Sequence, residues 1–132
     1  MGIDERTCNA ELSRLLDKSA MDVGNICQAL KAEKNETEMQ GMRNCNVRDA
    51  AAIMRYFAFL EEELLKEDHG LNEYNGARLM DKYRADGDFF MGPSFDTISS
   101  IGPNGAVIHY KPEEESALKL HNDSIYLLDS GG

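Results

Sequence analysis

No apolar run in this sequence is long enough to span a bilayer, basic residues are in the minority, and cysteine is sparse. Each shortage closes off a class of function. A membrane-crossing helix needs about 20 consecutive, mostly apolar residues, and no segment of the 132 approaches that. The chain does not open with a basic stretch followed by an apolar run, so no secretory leader is expected. Met1-Gly2 starts like a myristoylation signal, but that signal needs Ser or Thr at the position held by Arg6. The 14 Lys and Arg are set against 24 Asp and Glu, for a net charge of −10. Affinity for nucleic acid comes mainly from cationic side chains that release counterions from phosphates. Neither a nucleic acid nor a membrane is therefore an expected partner. Cys8, Cys27 and Cys45 are odd in number, widely spaced and form no Cys-x-x-Cys pair. They are expected to be reduced thiols, buried or half-buried, in a cytosolic protein.

What is present is a helical first part and a strand-rich second part. Residues 10–18 and 23–33 each read as a short helix with too little apolar surface for a core. The strongest helical signal follows. Asn35 suits an N-cap, and Glu38 stands three residues on, as in a capping box. Met39, Met42, Ala50, Ile53, Phe57, Leu60 and Leu64 recur at three- and four-residue steps, which predicts one apolar stripe. That helix is expected to end between Lys66 and Gly70, with Gly70 in the left-handed conformation. A second helix is predicted from the cap Asn72 to Ala85, weakened by Gly76 in its interior. A loop with Phe89 and Phe90 comes next. "FDTISSIGPNGAVIHYK" then reads as two strands joined at Gly102-Pro103-Asn104-Gly105, and "SIYLLD" as a third. Helices first and strands after, without β-α-β alternation, predict an α+β fold with an antiparallel sheet.

Two residues on these strands could carry chemistry. Asp129 ends the last strand, on the face of Ile125 and Leu127 by period-two counting. Burying it unpaired would be costly, so it is exposed, hydrogen-bonded or bound to a cation. Taken in isolation, it reads more readily as a turn-capping Asp ahead of Ser-Gly-Gly than as a metal ligand. His109, in "GAVIHY", is either a hydrogen-bonded structural residue or one presented by a tight Pro-Asn-Gly turn. His69 and His121 fall in polar loops and are expected to be exposed. The acidic runs at 61–69 and 113–116 read as solvated surface, because a hard cation needs ligands converging from several elements.

Three blocks in order, "QGMRNCNVRDAAAIMRYFAFLEEEL", "FDTISSIGPNGAVIHYKP" and "IYLLDSGG", resemble the cytosolic Xaa-Pro aminopeptidases (aminopeptidase P). These metallopeptidases share the pita-bread fold with methionine aminopeptidase and creatinase. The resemblance runs from Glu38 to Asp129. It implies that residues 34–132 are the N-terminal half of the catalytic domain and that residues 1–33 end the domain before it. It implies release of the N-terminal residue from peptides with proline in second position, by hydrolysis at a pair of divalent metals, usually manganese. Asp129 would be the first metal ligand, and His109 the active-site histidine beside the substrate.

The departure from the family pattern is as informative. There, a second metal-binding Asp, then a His and two Glu ligands, follow the Asp-Ser-Gly turn, and they would fall after Gly132. The chain is therefore expected to be inactive by itself and to bind Mn²⁺ weakly or not at all. It is also expected to form homo-oligomers, dimers in the simplest case, through the sheet edge near residues 124–129. The rival readings are a non-catalytic peptide- or protein-binding member of the fold and another pita-bread enzyme.

Overall fold

In the computed structural model, which describes residues 1–16 and 19–132, the chain divides into two units, Met1–Gly41 and Met42–Gly132. In the first unit, β1 (Gly2–Ile3) and β2 (Met21–Asp22) form a parallel pair that the sequence reading missed. Helix α1 spans Ala10–Leu16. The last two residues of its predicted range, Asp17 and Lys18, lie outside the described residues. Helix α2 spans Ile26–Ala32, three residues later than expected. Its start is set by Asn25, whose side chain accepts from the Gln28 N–H at 2.9 Å, just after Gly24 turns the backbone at φ 64°.

The reciprocal cap expected at Asn35 is present. Glu38 N–H donates to Asn35 Oδ1, and Asn35 N–H to Glu38 Oε2, both at 2.9 Å. This starts α3 (Glu36–Glu63), which ends a few residues earlier than predicted. Gly70 does take φ 64°, but in the connection after the helix. The buried stripe is rotated from the predicted one. It consists of Ala52, Tyr56 and Leu60, flanked by Ile53, Phe59 and Leu64, whereas Ala50 and Phe57 are exposed. The reason is Tyr56, whose hydroxyl can be buried because it hydrogen-bonds Tyr126 OH at 2.7 Å, which in turn meets Ser99 Oγ at 2.8 Å.

Helix α4 (Glu73–Ala85) starts at a capping box between Asn72 and Asn75, with both bonds at 2.8 Å. Gly76 weakens the helix but is required by packing. A Cβ there would lie 3.0 Å from Tyr56 OH and 3.3 Å from Ser99 Oγ. Tyr56, Met80, Ile101 and Leu120 are almost wholly buried and close one core with Ala52, Leu60 and Leu71. Each large side chain so buried contributes about 1.5–3 kcal/mol of transfer free energy.

The sheet of the second unit has two strands among the described residues. β3 (Ile98–Ile101) pairs antiparallel with β4 (Tyr126–Asp129), in a register that places Ile98 opposite Asp129 and Ser100 opposite Leu127. The strand predicted at 106–111 is absent. Gly102, at φ 55°, and Pro103 instead begin a 3₁₀ helix, Gly102–Ala106. Its backbone bonds are local, from Val107 N to Asn104 O and from Tyr110 N to Val107 O, while β4 pairs directly with β3.

Two further expectations need correction. Cys27 and Cys45 are exposed and only Cys8 is half-buried, because α2 and the early turns of α3 turn those positions outward. His69 is half-buried rather than exposed, since its Nδ1 accepts the Leu71 N–H at 3.0 Å and closes the turn into α4. His121 is exposed as expected, beside Asp123.

Candidate functional site

Alternation along β4 sends Tyr126 and Leu128 toward the core and Leu127 and Asp129 outward. Across the ladder, Ile98 and Ser100 share that outer face. The segment after β3 crosses it. As a result His109 and Asp129 line one open hollow of about 270 Å³, whose walls include Ser100, Val107, Ile108 and Leu127. Both candidate residues are exposed. His109 arrives there from a turn and not from a strand, with φ at 56°, a conformation uncommon for a residue with a Cβ. Ser100 lies fully buried at the floor of the hollow, and its Oγ has no hydrogen-bond partner among the described residues.

The turn that presents His109 is tied to the buried carboxylate of Glu73. Oε1 accepts from the Ile101 N–H at 2.7 Å and from Asn104 Nδ2 at 3.1 Å. Oε2 accepts from Asn104 Nδ2 at 2.9 Å, Tyr110 OH at 2.7 Å and Leu118 N–H at 2.9 Å. Glu73 is 0% exposed. It also stands at the first position of α4, where free backbone N–H groups favour an anion. Sequence reading passed over Glu73, Asn104 and Tyr110 as functional residues. An acid after an N-cap is ordinary, and its donors lie 28 to 45 residues away.

Burial, then the hydrogen bond to Glu73 and the charge on it, pushes the Tyr110 phenol from 10.0 to about 12. The folded chain thus holds this proton more tightly than the unfolded one. That contribution is complete below pH 10 and is lost as pH rises through about 12. The Tyr56 and Tyr126 phenols are also raised, chiefly by burial, and act in the same direction. Resistance to urea is therefore expected to fall steeply between pH 10 and pH 12. Tyr110→Phe should flatten part of that slope, and an equal slope in the variant would show that Tyr110 does not contribute.

The hollow offers one carboxylate to a metal. Among the described residues no group of three His, Cys, Asp or Glu side chains converges. A hard divalent cation takes several oxygen ligands from different elements. The side chains present therefore do not make a metal centre by themselves. Other hollows lie among the described residues of the second unit. One of about 350 Å³ lies over Leu60, Leu64 and Leu120. Another, beside Arg48, Phe89 and Phe90, contains Asp49, which is engaged by Arg84. The first of these also holds a histidine and a carboxylate, His121 and Glu61, but there His121 is paired with Asp123; the second holds no histidine.

The sequence profile of metallopeptidase family M24 matches residues 40–132, and the chain belongs to that family. Among curated proteins, the chain is 52% identical over 101 residues to "Probable Xaa-Pro aminopeptidase P" of Sordaria macrospora, covering 76% of this chain and 16% of that protein. It is 55% identical over 101 residues to the protein of the same name from Penicillium rubens, with the same coverage. The crystal structure of X-prolyl aminopeptidase from Caenorhabditis elegans, a cytosolic enzyme with a di-nuclear active site, superimposes with a TM-score of 0.78 at 39% identity. That match covers 86% of this chain and 18% of the other. The chain thus carries part of the pita-bread fold, with the α+β character expected from its sequence, and spans about 16% of the length of the curated relatives. No helix among the described residues is long and apolar enough to cross a membrane.

Proposed function

We propose that the chain is a segment of a cytosolic metallo-aminopeptidase that removes the N-terminal residue from peptides with proline in second position. The observation that carries this reading is the shared hollow of His109 and Asp129, in a chain belonging to family M24. Residues 1–33 are read as the end of a preceding domain and 34–132 as the first part of the catalytic one. In this reading His109 sits beside the substrate, and its imidazole N–H donates to the oxygen on which negative charge grows as the peptide carbonyl is attacked. A positioned donor of this kind is worth about 10²–10³-fold in rate. Val107 and Ile108, both largely exposed, form an apolar wall next to it. A pair of divalent ions, manganese in this reading, would supply the polarising charge for hydrolysis. Asp129 would give that pair one carboxylate.

The test is a chimera. Residues 40–132 replace the equivalent segment of the Sordaria macrospora protein, and cleavage of Xaa-Pro and Xaa-Ala peptides is measured with Mn²⁺. Xaa-Pro cleavage within about tenfold of the parent's, with Xaa-Ala left intact, is the expected result. A chimera that folds but spares both peptides would contradict the reading. The isolated chain should cleave neither peptide and should bind Mn²⁺ no more tightly than about 1 mM in calorimetry, because one carboxylate is not a chelating set. It should also associate in sedimentation, since Ile125 is exposed and β3 is the one strand paired with β4 among the described residues.

A further inference from the structure

We infer that Glu73 is the positioning residue for His109, holding the turn that carries it in the left-handed conformation. The inference rests on the reading of His109 as the group beside the substrate, but the geometry behind it is independent of catalysis. A residue with a Cβ keeps a positive φ only where its surroundings over-determine it, and His109 has φ 56° with an exposed side chain. Its side chain therefore has little packing to impose that conformation. The constraint comes from its neighbours. Tyr110, the next residue, donates its hydroxyl to Glu73 Oε2 at 2.7 Å. Asn104, in the 3₁₀ helix, donates to both Glu73 oxygens and lies 3.1 Å from Tyr110 OH. The two ends of the turn are thus fastened to one carboxylate.

That carboxylate is itself fixed. It accepts the Ile101 N–H from the end of β3 and the Leu118 N–H from the returning chain, and its own backbone N–H donates to Leu118 O at 3.0 Å. Every donor here gives its hydrogen to Glu73, so both oxygens act only as acceptors. A buried carboxylate needs such donors to offset its lost hydration. Glutamine has nearly the same shape but can accept at one terminal atom only, and its NH₂ would face the donors that Oε2 now satisfies. Glu73→Gln therefore weakens the tie between α4 and the His109 turn while leaving the volume of the core nearly unchanged.

The experiment is NMR on the full 132-residue chain and on Glu73→Gln, with amide exchange and the backbone and imidazole resonances of His109 as readouts. In the variant, exchange at Leu118, whose acceptor is lost, should rise at least about tenfold, and exchange at Ile101, whose acceptor Oε1 is kept, should rise less. The His109 ¹³Cα and imidazole resonances should move away from their left-handed values. Amides of the core around Tyr56 and Met80 should keep their protection. Glu73→Ala should move His109 further than Glu73→Gln, because glutamine keeps one acceptor. A folded Glu73→Gln chain with unchanged His109 resonances would overturn the inference. So would loss of protection in the core equal to that in the turn, which would make the role one of general stability. If Glu73→Gln does not fold, Tyr110→Phe, which removes one half-buried donor and leaves the carboxylate three others, decides: displaced His109 resonances support the tie and unmoved ones refute it. Peptide cleavage does not enter these readouts, so failure here leaves the peptidase reading standing, and an inactive chimera leaves this inference standing.

Discussion

Asp49→Ala is expected to destabilise the chain by about 3 kcal/mol, toward the lower end of what removing one partner of a buried ion pair costs. Arg84 Nε donates to Asp49 Oδ1 at 2.6 Å and Nη2 to Oδ2 at 3.3 Å, with Ser130 O a further acceptor at 3.4 Å. The Arg84 side chain is only 2% exposed, while that of Asp49 is 31% exposed. Removing the aspartate leaves a guanidinium in a site that water reaches poorly. Its Nη1 already has no partner among the described residues. The partial exposure of Asp49 is why the lower figure is used. The cost is a desolvation cost and not the worth of the contact, and a double variant separates the two. Asp49→Leu with Arg84→Met should return to within about 1 kcal/mol of the parent, because burying a well-made pair gains little over apolar packing. Urea unfolding checks both. A loss below about 1 kcal/mol in Asp49→Ala, or a double variant as weak as the single, would contradict this account.

The second large effect concerns the hollow. In the chimera, His109→Ala should lower kcat for Xaa-Pro cleavage by about 10²–10³-fold, the value of one positioned donor, with a smaller change in KM. Asp129→Asn should lower cleavage by at least about 10³-fold, since a metal ligand would be lost and its ion with it. Neither change should affect folding much, because both side chains are exposed and neither has a side-chain bond that the fold depends on. A tenfold effect or less from either variant would remove that residue from its proposed role.

Much of the fold could be read in the sequence wherever the determinant is local. The caps at Asn35 and Asn72 need only a side chain three residues from a free N–H, and both formed. β4 and the outward face of Asp129 followed from period-two alternation. What failed depends on partners far along the chain. Tyr56 is absent from the predicted apolar stripe, and the group that satisfies its hydroxyl, Tyr126, is 70 residues away. The segment 106–111 is rich in strand-favouring residues, Val107, Ile108 and Tyr110, and so read as a strand. β4 pairs with β3 directly, and Glu73 holds the segment as a turn. The strand was misread, yet His109 and Asp129 still line one hollow. That outcome came from the turn that replaced the strand, which no periodicity would reveal. Glu73 itself carried no signal, since the donors that give it a role are scattered from Ile101 to Leu118.

The division of labour between the two residues of the hollow is tested most directly by the metal content of the chimera, set beside its activity. Bound manganese per chain is counted by mass spectrometry in the parent chimera, in His109→Ala and in Asp129→Asn. The account predicts that His109→Ala keeps the parent's full complement and loses turnover, whereas Asp129→Asn loses metal and turnover together. An Asp129→Asn chimera that retains both ions and cleaves Xaa-Pro peptides normally would contradict it.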